Sequence, residues 1–204
     1  MGVFVLLVSL AVLAWGVWPV GRSARQATLR MPGGAAQDAH KIELTWPAWL
    51  RAGDPGVIRL VLESGGKPPD AGSETNRLVE SRLEAVGLMA VPVGEILEPL
   101  LPDRQAIFYW SVLPEHGGDL EIVIWVSLRS QPAESSKSGS QVIQQSQLLT
   151  AQKIPIRTKE LFGMEGRTAR LLGGIGLVFG LALSLDGLLL LRKRIKKEAS
   201  SEHA

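Results

Sequence analysis

Two long apolar stretches flank a middle segment in which apolar and polar residues alternate. The N-terminal stretch, Gly2–Val20, has nineteen residues and no charged side chain, and the C-terminal stretch, Leu171–Leu191, has twenty-one residues with Asp186 as its one charge. About 20 apolar residues in a helix rise about 30 Å, which is enough to cross the hydrocarbon core of a bilayer. The pattern therefore predicts transmembrane helices within residues 1–21 and 171–191.

The middle segment alternates with the period of two that is typical of strands, and glycine or proline separates the runs. The clearest unit is Ala106–Leu113 followed by Leu120–Leu128, and the six residues between them include two glycines. This spacing predicts a long hairpin. Leu78–Val86 fits both a strand and a helical face, and we interpret it as a strand because its neighbours alternate in the same way.

About seven short strands within ~120 residues predict an antiparallel β-sandwich over residues 41–157. The tryptophans of this segment are expected to supply much of its core, and they are Trp46, Trp49, Trp110 and Trp125. Residues 22–40 are small and polar and are interpreted as a linker. Residues 158–170 are predicted to form a short juxtamembrane helix capped by Thr158, and residues 192–204 form a basic tail.

The net charge of +2 lies at the C-terminal end of the chain. From residue 186 onward there are five basic and three acidic residues, and the other 17 basic and 17 acidic residues cancel. The basic cluster consists of Arg192, Lys193, Arg194, Lys196 and Lys197. By the positive-inside rule this cluster stays cytoplasmic, and it is also suited to anionic lipids. We therefore predict a plasma-membrane protein with both ends in the cytoplasm and the middle domain outside.

Two alternatives stay open at the N-terminal stretch. Arg22, Arg25 and Arg30 follow it and favour the opposite orientation, although the loop far exceeds the ~60 residues over which the charge rule is reliable. A cleaved signal peptide is the other alternative, but no basic residue precedes the apolar run, and Trp15 and Trp18 are placed as in a retained anchor.

Small residues recur along one face of the predicted C-terminal helix. They are Gly173, Gly176, Gly180, Ser184 and Gly187, with spacings of 3, 4, 4 and 3 residues. This stripe predicts close packing on the N-terminal helix or on a partner, including a second copy of the chain. Asp186 lies off the stripe and is a candidate for an ion pair near the interface or for contact with a partner helix.

Two motifs of the middle segment carry a family resemblance. An Ile/Leu strand is followed by Pro47 and a Gly-Asp-Pro-Gly turn at residues 53–56, and Phe108-x-Trp110-x-Val112-x-Pro114 is followed by two glycines. Residues 41–157 thus resemble the immunoglobulin-like sandwich modules of bacterial membrane-anchored proteins. The resemblance implies an exported all-β fold without catalytic chemistry. The chain departs from true immunoglobulin domains in having no cysteine pair.

Catalytic and metal-binding patterns are missing from the sequence. The chain has no cysteine, and its three histidines have no ligand-like spacing. Glu80 with Glu84, and Glu95 with Glu98, are predicted to be solvated carboxylates on outward strand faces. We expect no cofactor, metal or nucleic acid, and predict a non-catalytic module for protein interaction or scaffolding. The alternative is an accessory subunit of a membrane transporter or channel.

Overall fold

The computed structural model describes residues 2–30, 39–64, 76–101, 104–131 and 145–201, with the side chains of the last helix described as far as residue 184. The chain divides into two compact units. One unit consists of Met1–Pro19 and Glu160–Ala204, and the other consists of Val20–Lys159. Among the described residues, the first unit contains two helices and the second contains ten strands.

The helices are α1, Gly2–Val17, and α2, Gly166–Ser201. The strands are β1 Arg22–Arg30, β2 Ala39–Pro47, β3 Trp49–Arg51, β4 Gly56–Ser64, β5 Asn76–Ala85, β6 Leu88–Val91, β7 Glu95–Pro99, β8 Gln105–Pro114, β9 Gly118–Gln131 and β10 Gln145–Lys159. The ambiguous segment around residues 78–86 is therefore a strand, as predicted.

The strands form two five-stranded sheets. The first sheet has the order β1-β2-β4-β8-β6, and the second has the order β3-β10-β9-β5-β7. All pairs are antiparallel except β3, which runs parallel to β10. The predicted two-sheet β-sandwich is thus confirmed. The transmembrane character of the helices stays a prediction.

The core lies between the inner faces of the two sheets. Trp110 of β8 and Ile124 of β9 are completely buried. Phe108 stacks on Trp110 with ring centroids 6.1 Å apart and planes inclined by 15°. The alternation along β8 and β9 places each apolar face inward, since successive side chains of a strand point to opposite faces.

Residues 22–30 are a strand, so the prediction of a linker over residues 22–40 is wrong. β1 pairs with β2 over nine positions, from Arg22 opposite Pro47 to Arg30 opposite Ala39. As an edge strand it contributes little to the core, and so it needs few apolar residues. β1 is held by backbone hydrogen bonds to β2, and these do not depend on an alternating apolar pattern in its own sequence.

The predicted β8–β9 hairpin is also wrong. β8 pairs with β4 and β6 in the first sheet, whereas β9 pairs with β5 and β10 in the second. The alternating pattern of each strand requires one apolar face to be buried. Two strands that face each other across a core satisfy that requirement as well as two neighbours in one sheet do.

The separate juxtamembrane helix at residues 158–170 does not form. Thr158 is buried at the end of β10, opposite Gly118 of β9. The chain then turns at Phe162 and Gly163, which have φ values of 53° and 73°. α2 begins at Gly166 and is continuous through the apolar run, because no helix-breaking residue separates residues 166–170 from it.

The chain enters and leaves the sandwich at one short segment. The carbonyl of Gly21 accepts a hydrogen bond from the Ala48 backbone N–H at 2.8 Å, and that of Lys159 accepts one from Ala52 at 3.1 Å. Ala48 and Ala52 are four residues apart, which is about 13 Å in an extended strand. The first and last residues of the sandwich are therefore close together.

Candidate functional site

The two helices pack antiparallel through the small-residue stripe of α2. A Cβ atom built on Gly173 would lie 2.8 Å from the backbone nitrogen of Leu13, and one built on Gly180 would lie 2.8 Å from the Cα atom of Leu6. At Gly176 it would lie 2.2 Å from the Ser9 hydroxyl oxygen. Only glycine fits at these positions, so the two backbones make the close approach typical of membrane helix pairs.

The contact with α1 includes Gly173 but not its neighbour Gly174, and it extends along α2 to Ser184. Gly174, next to Gly173, has no atom of another segment within 4 Å of a Cβ built on it. Ser184 lies beside Gly2, and its hydroxyl donates a hydrogen bond to the Gly180 carbonyl of its own helix at 2.9 Å. Gly187 continues the helical backbone, but its surroundings lie outside the described side chains.

The other predicted residues of α2 also lie on its C-terminal backbone. They are Asp186, Arg192, Lys193, Arg194, Lys196 and Lys197. Their side chains are outside the described part of the structure, so the predicted ion pair and lipid contacts stay predictions.

The outer surface of the helix pair is formed by large apolar side chains. Phe4 of α1 is 72% exposed, and Val178 and Phe179 of α2 are 65% and 63% exposed. A helix on the surface of a soluble domain has the opposite arrangement, with its apolar stripe buried and its polar face outward. Here the small residues are inside and the large apolar residues are outside, as lipid solvation favours.

One helical stretch in the described residues, Gly166–Ser184, is long and apolar enough to cross a membrane, and 22% of it is buried. A core helix of a soluble protein would be mostly buried. α1 has 16 residues and rises about 24 Å, somewhat less than a typical hydrocarbon core.

Arg170 closes the C-terminal end of α1. Its Nη1 atom donates a hydrogen bond to the Gly16 carbonyl oxygen at 3.1 Å. The last carbonyls of a helix lack intrahelical partners and carry a partial negative charge, which a guanidinium stabilises. A Cβ on Gly16 would lie 2.7 Å from the Arg170 Cγ atom, so the glycine makes room for the arginine stem.

A charged cluster lies on the outer face of the second sheet. Glu80 of β5 forms an ion pair with Arg129 of β9, and the Arg129 Nη2 atom lies 3.6 Å from Glu95 of β7. Ser127 and Arg82 line the adjoining pocket of about 190 Å³ together with Glu80 and Glu95. Pairing of β5 with β7 thus brings Glu80, of the Glu80/Glu84 pair, into one cluster with Glu95, of the Glu95/Glu98 pair.

Glu80 is buried, so the prediction that it is a solvated carboxylate is wrong. Its residue is 8% exposed. Burial raises its pKa, and a hydrogen bond and charge repulsion from Glu95 act in the same direction, while Arg129 opposes them. The sequence could not show this environment, because it is assembled from three strands.

We expect Glu80→Gln to gain stability relative to the parent chain as the pH rises. A carboxyl whose pKa is raised by folding stabilises the fold below its ordinary value of 4.5, and that contribution is lost as the pH rises through the folded value. Urea unfolding of both chains between pH 4 and pH 8 measures the difference. The control is Glu121→Gln on β9, whose side chain is 63% exposed, and an equal pH-dependent gain there would contradict the assignment to Glu80.

Two of the four predicted core tryptophans lie elsewhere. Trp46 and Trp110 are buried, but Trp125 is 36% exposed and its indole N–H donates a hydrogen bond to Glu84 at 2.9 Å. Trp125 has the opposite parity from the inward residues of β9, which places it outward. Trp49 is half-buried, and two cations lie over its ring, with Arg51 at 4.9 Å and Lys159 at 5.0 Å from the ring centre.

Trp49 thereby helps to hold the segment where the chain enters and leaves the sandwich. Arg51 is also buried beside Asp54, at 3.6 Å. A cation over a tryptophan ring contributes about 0.5–2 kcal/mol depending on its desolvation.

Within the described residues, no group of three or more histidine, cysteine, aspartate or glutamate side chains is arranged to hold a metal ion. His40 is buried in β2, and His116 is exposed between β8 and β9. The expectation of no metal rests on the sequence argument.

Comparison with known proteins gives distant structural similarity alone. No protein-family model matches the chain, and no curated protein matches it. Among solved structures, one similar chain comes from the complex of zinc 2-glycoprotein and prolactin-inducible protein from human seminal plasma. It has 12% identity and a TM-score of 0.40, and the match covers 58% of this chain and 93% of that chain.

A second similar structure is PapD-like domain 7 of human CEP192. It has 13% identity and a TM-score of 0.33, with 66% of this chain and 96% of that chain covered. Since both TM-scores are below 0.5, the description of this chain as a two-sheet β-sandwich rests on its own strand pairing.

Proposed function

We propose that this protein is a membrane-anchored, non-catalytic β-sandwich module that binds another protein or scaffolds a complex outside the cytoplasm. The observation that carries the proposal is the helix pair, in which small residues form the contact and large apolar residues face outward. Water would strongly disfavour such a surface, whereas lipid solvates it.

The antiparallel packing supports a topology with both chain ends on one side. The start of α1 lies beside Ser184, and the end of α1 lies beside Arg170. The basic cluster at residues 192–197 follows Ser184, so the positive-inside rule favours the cytoplasm for that end. The sandwich, inserted between α1 and α2, is then on the opposite side. We further propose that the sandwich is an exported immunoglobulin-like module of a bacterial membrane-anchored protein.

The outer face of the second sheet supports a binding role. Arg82, Trp125 and Arg129 lie there among carboxylates, and tryptophan and arginine are enriched where proteins bind one another. The alternative, an accessory subunit of a transporter or channel, rests on Asp186 and on the apolar helix surface. Purification in mild detergent separates the two, because a stoichiometric transporter partner supports the alternative and a lone monomer or homodimer counts against it.

Thiol labelling tests the topology cleanly, because the native chain has no cysteine. We expect His116→Cys, in an exposed turn of the sandwich, to react with a membrane-impermeant maleimide in intact cells. The matched variant Ser200→Cys in the tail is expected to react only after the cells are opened.

The reverse labelling pattern would overturn the orientation. Release of the chain from the membrane fraction by alkaline carbonate would overturn the anchoring itself, because carbonate removes peripheral proteins and leaves spanning helices in place.

A further inference from the structure

We propose that the sandwich binds a small amphiphilic anion, a carboxylate or phosphate joined to an apolar body, in a groove on the outer face of the first sheet. The groove has a volume of about 480 Å³, and small-molecule sites typically have ~300–1,000 Å³. Every residue that lines it belongs to the sandwich unit. The site is therefore independent of the membrane anchoring proposed above.

Strand register brings polar side chains from four strands to this groove. Thr45 of β2 is opposite Arg59 of β4, and Arg59 is opposite Tyr109 of β8. Arg22 of β1 is opposite Pro47, two residues along β2 from Thr45. With strands about 4.8 Å apart and about 3.4 Å per residue, the Cα atoms of the two arginines are about 12 Å apart. Two arginine side chains can span that separation to meet at one anion.

Arg22 and Arg59 form no ion pair with a carboxylate in the described part of the chain. Six other basic residues do so, and they are Lys41, Arg51, Arg82, Arg129, Lys153 and Arg157. The groove therefore carries two positive charges that the described acidic residues leave uncompensated. A guanidinium stays charged at every physiological pH and matches carboxylate and phosphate with two parallel hydrogen bonds. This selects an anionic ligand.

The wall of the groove is apolar, and part of it faces solvent. Pro47, Leu50, Pro55 and Val57 line it, and Val57 is 59% exposed. Gly56 allows this shape, because a Cβ atom there would lie 2.7 Å from the Leu50 Cδ2 atom and 3.1 Å from the Pro47 Cγ atom. An inorganic anion would leave the wall in water, whereas an apolar group attached to the anion covers it.

Tyr109 connects the polar and apolar parts of the site. It is 53% exposed, lies beside Arg59 on the neighbouring strand, and offers a ring face and a phenolic hydroxyl. The Thr45 hydroxyl is a second donor on the same cross-strand row. A compact ligand with its charge towards the arginines and its apolar body along Val57 uses both halves of the groove.

Calorimetric titration of the full chain in zwitterionic nanodiscs tests this site, with hexyl phosphate as the probe. Hexyl phosphate combines the two chemistries, while hexanol and inorganic phosphate each supply one. We expect saturable binding of one hexyl phosphate per chain, with both partial probes at least about tenfold weaker. Arg22→Gln and Arg59→Gln are each expected to weaken binding about tenfold or more through loss of a charge-assisted hydrogen bond.

Arg25→Gln on β1 is the matched control, since Arg25 is exposed on the same strand but does not line the groove. It is expected to bind the probe as the parent chain does. Val57→Thr tests the apolar wall without changing the charge of the site, and it is expected to weaken binding of hexyl phosphate but not of inorganic phosphate. Far-UV circular dichroism and thermal unfolding establish that each variant is folded.

Three results would overturn the proposal. Inorganic phosphate that binds as tightly as hexyl phosphate would leave a simple anion site. An equal loss in Arg25→Gln would indicate unspecific attraction by net charge. Association with anionic vesicles but not with hexyl phosphate would identify a membrane-surface contact.

Discussion

Trp110→Ala is expected to lower the free energy of unfolding of the sandwich by about 3–5 kcal/mol. Trp110 is completely buried in β8, opposite Ile58 of β4, and stacks on Phe108. Its loss removes the apolar contacts of a large ring and leaves a cavity that rigid strands cannot close. Since a typical domain has a free energy of unfolding of about 5–15 kcal/mol, this one change removes a large part of the total stability. Chemical denaturation followed by far-UV circular dichroism measures the loss.

Trp125→Ala is the matched control, because it removes an indole ring from the solvent-facing side of the second sheet and not from the core. Trp125 is 36% exposed and contacts the solvent-facing side of the second sheet. Cross-strand contacts of this kind contribute about 0.2–1 kcal/mol. Equal losses of unfolding free energy in the two variants would contradict the assignment of Trp110 to the core and of Trp125 to the surface. Trp110→Phe is expected to be more stable than Trp110→Ala, because its ring fills part of the cavity.

Gly180→Leu is expected to separate α1 from α2. The Cβ atom would lie 2.8 Å from both the Cα and the backbone nitrogen of Leu6, and a backbone cannot move aside as a flexible side chain can. Overpacking of about 1–3 kcal/mol corresponds to about a 5- to 150-fold drop in the pairing equilibrium. A reporter cross-link between Val3→Cys and Leu183→Cys, which are exposed at neighbouring ends of α1 and α2, measures pairing in the cysteine-free chain. It is formed in membranes with a short bifunctional maleimide and detected on gels.

Gly174→Leu is the control, because no atom of another segment lies within 4 Å of that position. It adds the same side chain to the same helix and should leave the yield of the reporter cross-link unchanged. Equal cross-link yields in the two variants would refute the packing of the stripe on α1. Cross-linked dimers in place of intramolecular cross-links would indicate that the stripe forms a contact between two copies of the chain.

The sequence predicted those features of the fold that depend on local period. The alternation along residues 120–128 correctly identified the inward face of β9, and it also implies that Trp125 points outward. The same alternation could not assign β8 and β9 to different sheets, since it fixes which face is buried but not which strand is adjacent. β1 was missed for a related reason, because an edge strand is held by backbone pairing and its side chains carry little signal.

The candidate sites also differ in how far the sequence could predict them. The spacing of the glycines along α2 is visible in the sequence, because one helix determines which residues share a face. Glu80 and Arg129 are 49 positions apart, and Arg22 and Tyr109 are 87 positions apart. Their proximity depends on sheet order and register, which no local pattern contains. The buried environment of Glu80, and the two groove arginines that have no ion pair among the described residues, could be found only once the strands were aligned.

The short segment from Ala48 to Ala52 affects how readily α1 and α2 pair. It bonds both the first and the last residues of the sandwich, so in the folded domain the chain continues towards α1 and towards α2 from neighbouring points. Pairing between them is then an intramolecular event at high effective concentration, governed by the short tether and no longer by some 140 residues of unfolded chain. Small-residue contacts in lipid are individually weak. Folding of the sandwich thus raises the local concentration of one helix around the other, and unfolding of the sandwich should weaken the pairing of α1 with α2.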